Sequence, residues 1–396
     1  METKNLRLLS IGLVAIVTLV AFESLAIATI MPTIEEDLGD LAWYGWVFSA
    51  FFFGSLIGIV LAGTASDRMR PVIPYLAGLI TFTIGIALGA LAPSMPALVL
   101  ARGLQGIGAG VMPAIGYVCI GRVVPLQQRP KMFALISSAW TIPGILGPVI
   151  AVFVADAFGW RAVFFGLLPF CVVFGALALA GIAQVPAPDE MKKGEPASLR
   201  IVAAPIAVMG LLNLAFFATD AFVPYTVVTV RDGSSLIGGL AMTSAAVLWT
   251  SASWLQSRLI HTRGPRFLIE RGLFIIAVAC VLMFTVLHDA VPLWFVIVWW
   301  GVAGFGMGLA YSPLSHVILE KAPAGQEGRF TTGMRVSDGL GVAIGTGLAG
   351  VAVNAEGVGL AYALSIAVAL VAIIVASTSV AKRGGENESS EIGLRA

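Results

Sequence analysis

The sequence predicts an all-α integral membrane protein, with twelve transmembrane helices arranged as two six-helix bundles. Composition, hydropathy and charge placement predict it. Of the 396 residues, 58% are hydrophobic and 11% charged, against about 25% charged in a soluble globular protein. Mean hydropathy is +0.96. The charges gather in short segments between apolar runs of roughly 20 residues, the length that crosses a bilayer core as helix.

The apolar runs fall at 8–31, 44–64, 72–92, 96–121, 132–158, 161–184, 201–230, 235–257, 267–288, 291–318, 331–353 and 357–381. The first is too long for a cleaved signal peptide, and no small-residue cleavage site precedes a soluble domain. Laid alternately across a bilayer, the connections segregate charge. Of the 23 Lys and Arg residues, all but Arg102, Arg161 and Arg231 fall on one side. That bias predicts a multi-pass plasma (inner) membrane protein with both termini cytoplasmic. It also checks the count, because one missed helix would scramble it.

The longest hydrophilic connection, QVPAPDEMKKGEPASLR, separates six spans from six. Its Pro and charge content predicts a flexible cytoplasmic linker over 185–200. The linker divides an amino-terminal six-helix bundle, 1–184, from a carboxy-terminal one, 201–381. Residues 382–396 end in GGENESSEIGLRA, a polar stretch that reads as a disordered cytoplasmic tail.

Two six-helix halves suggest an internal repeat, as in many transporters. Helices 2 and 8 end in GTASDRMRP and QSRLIHTRGPR, a basic turn at the same place in each half. Helices 1 and 7 each carry one acid with a proline downstream: Glu23 with Pro32, and Asp220 with Pro224.

Other chemistries find little support. Cys119, Cys171 and Cys280 sit inside apolar runs and read as buried, inert thiols. His261 and His288 fall in loops and His316 near a helix end, and none has a second ligand at metal spacing. The glycine clusters GIGAG, GFGMG and GVAIGTGLAG follow no strand and precede no Lys-Ser/Thr, so they read as helix-packing surfaces rather than phosphate loops. No nucleophile–base pair with a pocket-forming loop is visible. The expectation is a non-enzyme with no cofactor, no metal and no nucleic-acid partner.

The ionisable residues inside spans stand out. A carboxylate such as Glu23 costs about 2.5–3.5 kcal/mol in the bilayer on insertion scales. Something should offset that cost. For Glu23 two readings stand: a fixed ion pair with Arg102, or, the one expected, a carboxylate that titrates and exchanges a proton for a cationic substrate. Asp220 reads either as a second proton or cation site or as an acid wetted by an outer vestibule. Arg102 either tunes Glu23 or bonds helix ends in its own bundle. Asp338 reads as structural, paired with Arg335 or a loop arginine.

Four motifs carry a resemblance. Gly63, Asp67, Arg68 and Arg70 match the loop between helices 2 and 3 of the form G-x-L-A-D-R-x-G-R-R, with Arg70 and Pro71 departing from it. Arg102, Gln105, Gly106 and Gly108 match R-x-x-Q-G-x-G-A of helix 4. Gly147 and Pro148 match the antiporter motif of helix 5, with Ala151 and Val152 in place of its final glycines. Glu23 and Pro32 have the acid–proline spacing of a helix 1 motif in which the acid is usually Asp. Over nearly its whole length the chain resembles the major facilitator superfamily, and within it the drug:proton antiporters of the multidrug-efflux type. Members most like it often have fourteen helices, and this chain shows twelve.

The resemblance implies that helices 1, 4, 7 and 10 line a central cavity holding Glu23, Arg102 and Asp220. It implies that Asp67 and Arg68 latch the halves. Asn213, Phe217, Trp299, Tyr311 and Asp338 are further candidates to face that cavity. Trp43, Trp46, Trp160 and Trp294 read as interfacial anchors. The expected activity is alternating-access antiport, driven by the proton gradient, that exports lipophilic, cationic drug-like compounds. The expected partners are that small-molecule substrate, protons and the lipid bilayer, and the expected state is a monomer. Rival readings are a proton-coupled transporter of a metabolite, lipid or siderophore, and a non-transporting membrane receptor or scaffold.

Overall fold

The computed structural model describes residues 3–66, 68–125, 132, 135, 139–187, 198–321 and 327–379. Inside hydrocarbon, a backbone must satisfy its own polar groups, and a helix does so within one segment. The apolar runs accordingly form helices. They are α1 Thr3–Leu38, α2 Tyr44–Ser66, α3 Val72–Ala90, α4 Met95–Val123, α5 Thr141–Phe158, α6 Trp160–Ile182 and α7 Ala203–Asp220.

A hydrogen-bonded run then covers Ser235–Thr285, 51 residues. At 1.5 Å per residue it would extend about 76 Å, more than two bilayer cores. It is two spans. Gly264 has φ 75° and ψ 160°, and Pro265 follows, so the helix breaks there. The pieces are α8 (235–263) and α9 (265–285). α10 Phe295–Glu320, α11 Glu327–Glu356 and α12 Val358–Ser379 complete the chain. Among the described residues this gives twelve spans.

Two details depart from the expected boundaries. The fifth helix begins at Thr141 rather than 132, after a turn at Ala139–Trp140. Met132 and Leu135 are helical, and the residues around them lie outside the described ones. The seventh span is not one continuous α-helix. It stops at Asp220, turns at Ala221–Phe222, and resumes through Val223–Tyr225 into a π-helical turn at Thr226–Val230. Pro224 has no N–H to continue the ladder, which accounts for a break there. Most of the linker and the whole of 382–396 also lie outside the described residues.

The helices pack as two groups. In the first, α1 lies against α5 and α6, and α4 against α2 and α3. In the second, α10 lies against α8 and α9, and α7 against α11 and α12. The groups meet along two seams, α2 with α11 and α5 with α8. Ser49 Oγ on α2 bonds the Ala343 carbonyl on α11 at 2.7 Å, and Thr243 Oγ1 on α8 bonds the Ile145 carbonyl on α5 at 3.2 Å. Tyr44 at the start of α2 stacks on Phe222 beyond α7 at 4.8 Å, and meets Tyr225 edge-on at 5.3 Å. These contacts close the end of the molecule far from the termini. The opposite end, where α1 begins and α12 finishes, is the terminal end.

The packing of α2 on α4 sets the position of the central site. A Cβ at Gly54 or Gly58 on α2, or at Gly106 or Gly110 on α4, would strike the facing helix's backbone. Small residues at those four points let the two backbones touch.

Candidate functional site

The centre of the amino-terminal half is an ion pair. Glu23 on α1 is 0% exposed and Arg102 on α4 is 1% exposed. The Arg102 Nη1 donates to Glu23 Oε1, and to Gln105 Oε1 one turn along at 2.9 Å. The guanidinium lies over the Phe51 ring, 4.2 Å from its centroid. An apolar wall and an aromatic face leave this pair little contact with solvent, so each charge depends on the other. Glu23 Oε2, Arg102 Nε and Gln105 Nε2 are buried without hydrogen-bond partners.

In the carboxy-terminal half, the buried acid Asp220 lacks such a cation among the described residues. Asp220, the last residue of α7, is 8% exposed, which removes the reading of an acid wetted by a vestibule. Its Oδ1 accepts a hydrogen bond from Trp300 Nε1 on α10 at 2.9 Å. Among the described residues, no cation pairs with it. The Trp300 ring stacks on Phe216 at 4.8 Å and 26°. Phe216 meets Trp249 edge-on at 5.7 Å, and Trp249 lies 5.9 Å from Tyr311. Rings from α7, α8 and α10 thus form a continuous strip.

The strip ends at a third acid. Asp338 on α11 accepts from Asn213 Nδ2 at 3.0 Å and from the Tyr311 hydroxyl at 2.6 Å. Arg335 Nη1 sits 3.6 Å from the same carboxylate and donates to Tyr311 Oη at 3.2 Å. Asp338 therefore does pair with Arg335, the partner sequence reasoning named.

The other expected residues fall as follows. Phe217 packs on Phe216 at 5.1 Å and faces Phe52 of the other half at 6.4 Å. Trp299 turns away from Asp220 and stacks on Phe295 at 5.1 Å. Its neighbour Trp300 takes the site position. Trp160 is 3% exposed, so it is not an interfacial anchor. Its indole donates to Asp37 Oδ2 at 3.0 Å, because α1 overshoots and brings that acceptor over the α5–α6 turn. Trp43, Trp46 and Trp294 are exposed.

Of the loop motif, Asp67 lies outside the described residues. Gly63 has open space around it, and Arg68 is exposed. Arg70 Nη2 donates to the Ala183 carbonyl at the end of α6 at 3.3 Å. Arg122 ties the same corner, bonding the Ser66 carbonyl at 2.7 Å, a role no sequence signal announced. Gly147 and Pro148 lie where α5 meets both groups: Gly147 faces Phe22 and Leu25 of α1, and the Pro148 carbonyl faces Gly239 of α8.

Comparison with known proteins agrees with this layout. A family model described as Major Facilitator Superfamily matches residues 13–332. The chain is 33% identical over 180 residues to the multidrug transporter protein MdtP of Bacillus subtilis (strain 168), covering 45% of this chain and 33% of that one. It is 27% identical over 325 residues to an uncharacterized MFS-type transporter of Mycobacterium tuberculosis (strain ATCC 25618 / H37Rv), covering 80% and 42%. The matches thus cover less than half the length of either relative. The crystal structure of a D-xylose-proton symporter superposes with a TM-score of 0.74 at 17% identity, covering 93% of this chain and 97% of that one. At that identity the likeness is one of fold.

Proposed function

Because the chain belongs to the Major Facilitator Superfamily, we propose that it is a proton-coupled secondary transporter that exports lipophilic cations by alternating-access antiport. In this reading Asp220 is the carboxylate that exchanges proton for substrate. The observation that carries it is the unequal compensation of the two buried acids. Glu23 has Arg102. Asp220 has a neutral indole.

The argument is one of charge. An ionised carboxylate buried without a counter-ion costs several kcal/mol. A proton on the oxygen removes the cost, and so does an organic cation beside it. Either can occupy Asp220, and not both. That exclusion is the elementary condition for exchanging one against the other. The strip of Trp300, Phe216 and Trp249 offers faces to a lipophilic cation at the same place. Glu23 is neutralised from within and serves as the fixed member of a pair, whereas the sequence alone favoured it for the exchange. The name of the Bacillus subtilis relative, a multidrug transporter, supports a drug-like substrate.

Charge bias supports a cytoplasmic terminal end in the plasma membrane. The closed far end then faces outward. Alternation requires that end to part while the terminal end closes.

Proteoliposomes with an imposed pH gradient test the reading. Wild type should move protons against tetraphenylphosphonium, and Asp220→Asn should stop both. Coupled movement that survives Asp220→Asn, or proton movement driven by a neutral sugar instead, would overturn it.

A further inference from the structure

We infer that Asp338, Tyr311, Asn213 and Trp249 form a second cation site on the terminal side of Asp220, which the Arg335 guanidinium occupies as a tethered stand-in until an organic cation displaces it. This rests on the reading of the substrate as a lipophilic cation.

The carboxylate is held ready without the arginine. Its two oxygens accept from Asn213 at 3.0 Å and Tyr311 at 2.6 Å, both neutral donors. Arg335 stands further off at 3.6 Å, and its side chain is 43% exposed while that of Asp338 is 13% exposed. A long contact to a half-exposed cation is worth little. The donors fix the acid, and the cation beside it is the replaceable part.

The surroundings suit a cation that is also apolar. Trp249 packs against Tyr311 and supplies an aromatic face next to the carboxylate. The site is also connected to Asp220. Asn213 and Asp220 are seven residues apart on α7, two turns along one face, or about 10 Å. Trp249, Phe216 and Trp300 bridge that interval by successive ring contacts. A cation leaving Asp338 for Asp220 crosses aromatic surface throughout.

Arg335 has one more partner. Its side chain also interacts with Tyr117 on α4, in the other half. Displacing the guanidinium therefore releases a contact between the halves at the terminal end.

The test is equilibrium binding of tetraphenylphosphonium to the full chain in nanodiscs. Arg335→Gln should tighten binding about fivefold, since it removes the internal competitor. Asp338→Asn should weaken binding at least about tenfold. In Arg335→Gln/Asp338→Asn the gain should vanish. Arg335 is exposed, so its single variant stays informative even where Asp338→Asn disturbs folding. If wild type binds the probe, Asp220→Asn abolishes binding, and Arg335→Gln leaves affinity unchanged or weaker, then Arg335–Asp338 is a structural pair and the inference fails alone. A wild type that binds no probe overturns the cation reading together with this one.

Discussion

Ser49 on α2 and Thr346 on α11 meet hydroxyl to hydroxyl at 3.0 Å across the seam between the two halves. One turn before Ser49, Gly45 lies against Gly350 with no side chain between the backbones. A Cβ at Gly45 would strike the Thr346 carbonyl and the Gly350 Cα. Two helices can close the far end this tightly only where neither has bulk.

Gly45→Val should therefore hold the far end apart. Transport should fall at least about tenfold, the effect of about 1.4 kcal/mol on the closed state and within the reach of a single overpacked contact. Thiol labelling of a cysteine placed at Phe222 should become faster from the far side. The three native cysteines are buried and give a low background. Unchanged labelling would mean that the seam does not gate access.

Removing one partner of Glu23–Arg102 leaves a buried charge alone. Arg102→Met should cost about 3–5 kcal/mol, and Glu23→Gln/Arg102→Met should regain most of that. Thermal unfolding in detergent, read by a thiol-reactive dye at the buried cysteines, reports both variants. A double variant no more stable than the worse single one would show that the pair does more than cancel charge.

Trp300→Phe keeps an aromatic ring against Phe216 and removes the indole N–H that Asp220 accepts, together with part of the ring system. A hydrogen bond to a charged group contributes about 1.5–3 kcal/mol. The anionic form that binds a cation loses that support, so KM for tetraphenylphosphonium should rise about tenfold or more. Thermal stability should fall by about 1–3 kcal/mol, the cost of the cavity beside the smaller ring. Lost stability with an unchanged KM would instead mark Trp300 as packing alone.

At the far rim, Arg161 and Asp37 pair at 2.7 Å with side chains 42% and 49% exposed. Solvent screens such pairs, and Arg161→Ala should cost under about 1 kcal/mol. Unfolding midpoints of the two proteins should nearly coincide. A drop of many degrees would mean that the bond from Arg161 to the Ala92 carbonyl holds α3 in place.

The spans were readable because a helix in lipid must be long and apolar, and the breaks because charge collects at them. The run through 235–285 shows it: Arg258, Arg263 and Arg266 bracket the Gly264 break. Glu23 with Arg102 was readable as one of two alternatives, because a buried arginine needs an acid at similar depth. Rotation about each helix axis was not readable. Trp299 and Trp300 differ by 100° on α10, yet both sit in a helix that is apolar all round, so no polar face marks the inward side. Trp160 went astray for a related reason: the acceptor that buries it lies on the overhang of α1, more than a hundred residues earlier. The carboxy-terminal cluster gave its members one by one, with nothing in the spacing to say that Asn213, Tyr311 and Asp338 share one carboxylate.

The four glycines between α2 and α4 weld those helices into a single plank. Whatever tilts α2 away from Thr346 must carry Arg102 with it, and Glu23 follows because neither charge can be left behind. The amino-terminal half then swings as a rigid lever with its own electrical balance intact. In the proposed cycle, the work of loading and unloading falls to the other half, whose acids take partners in turn.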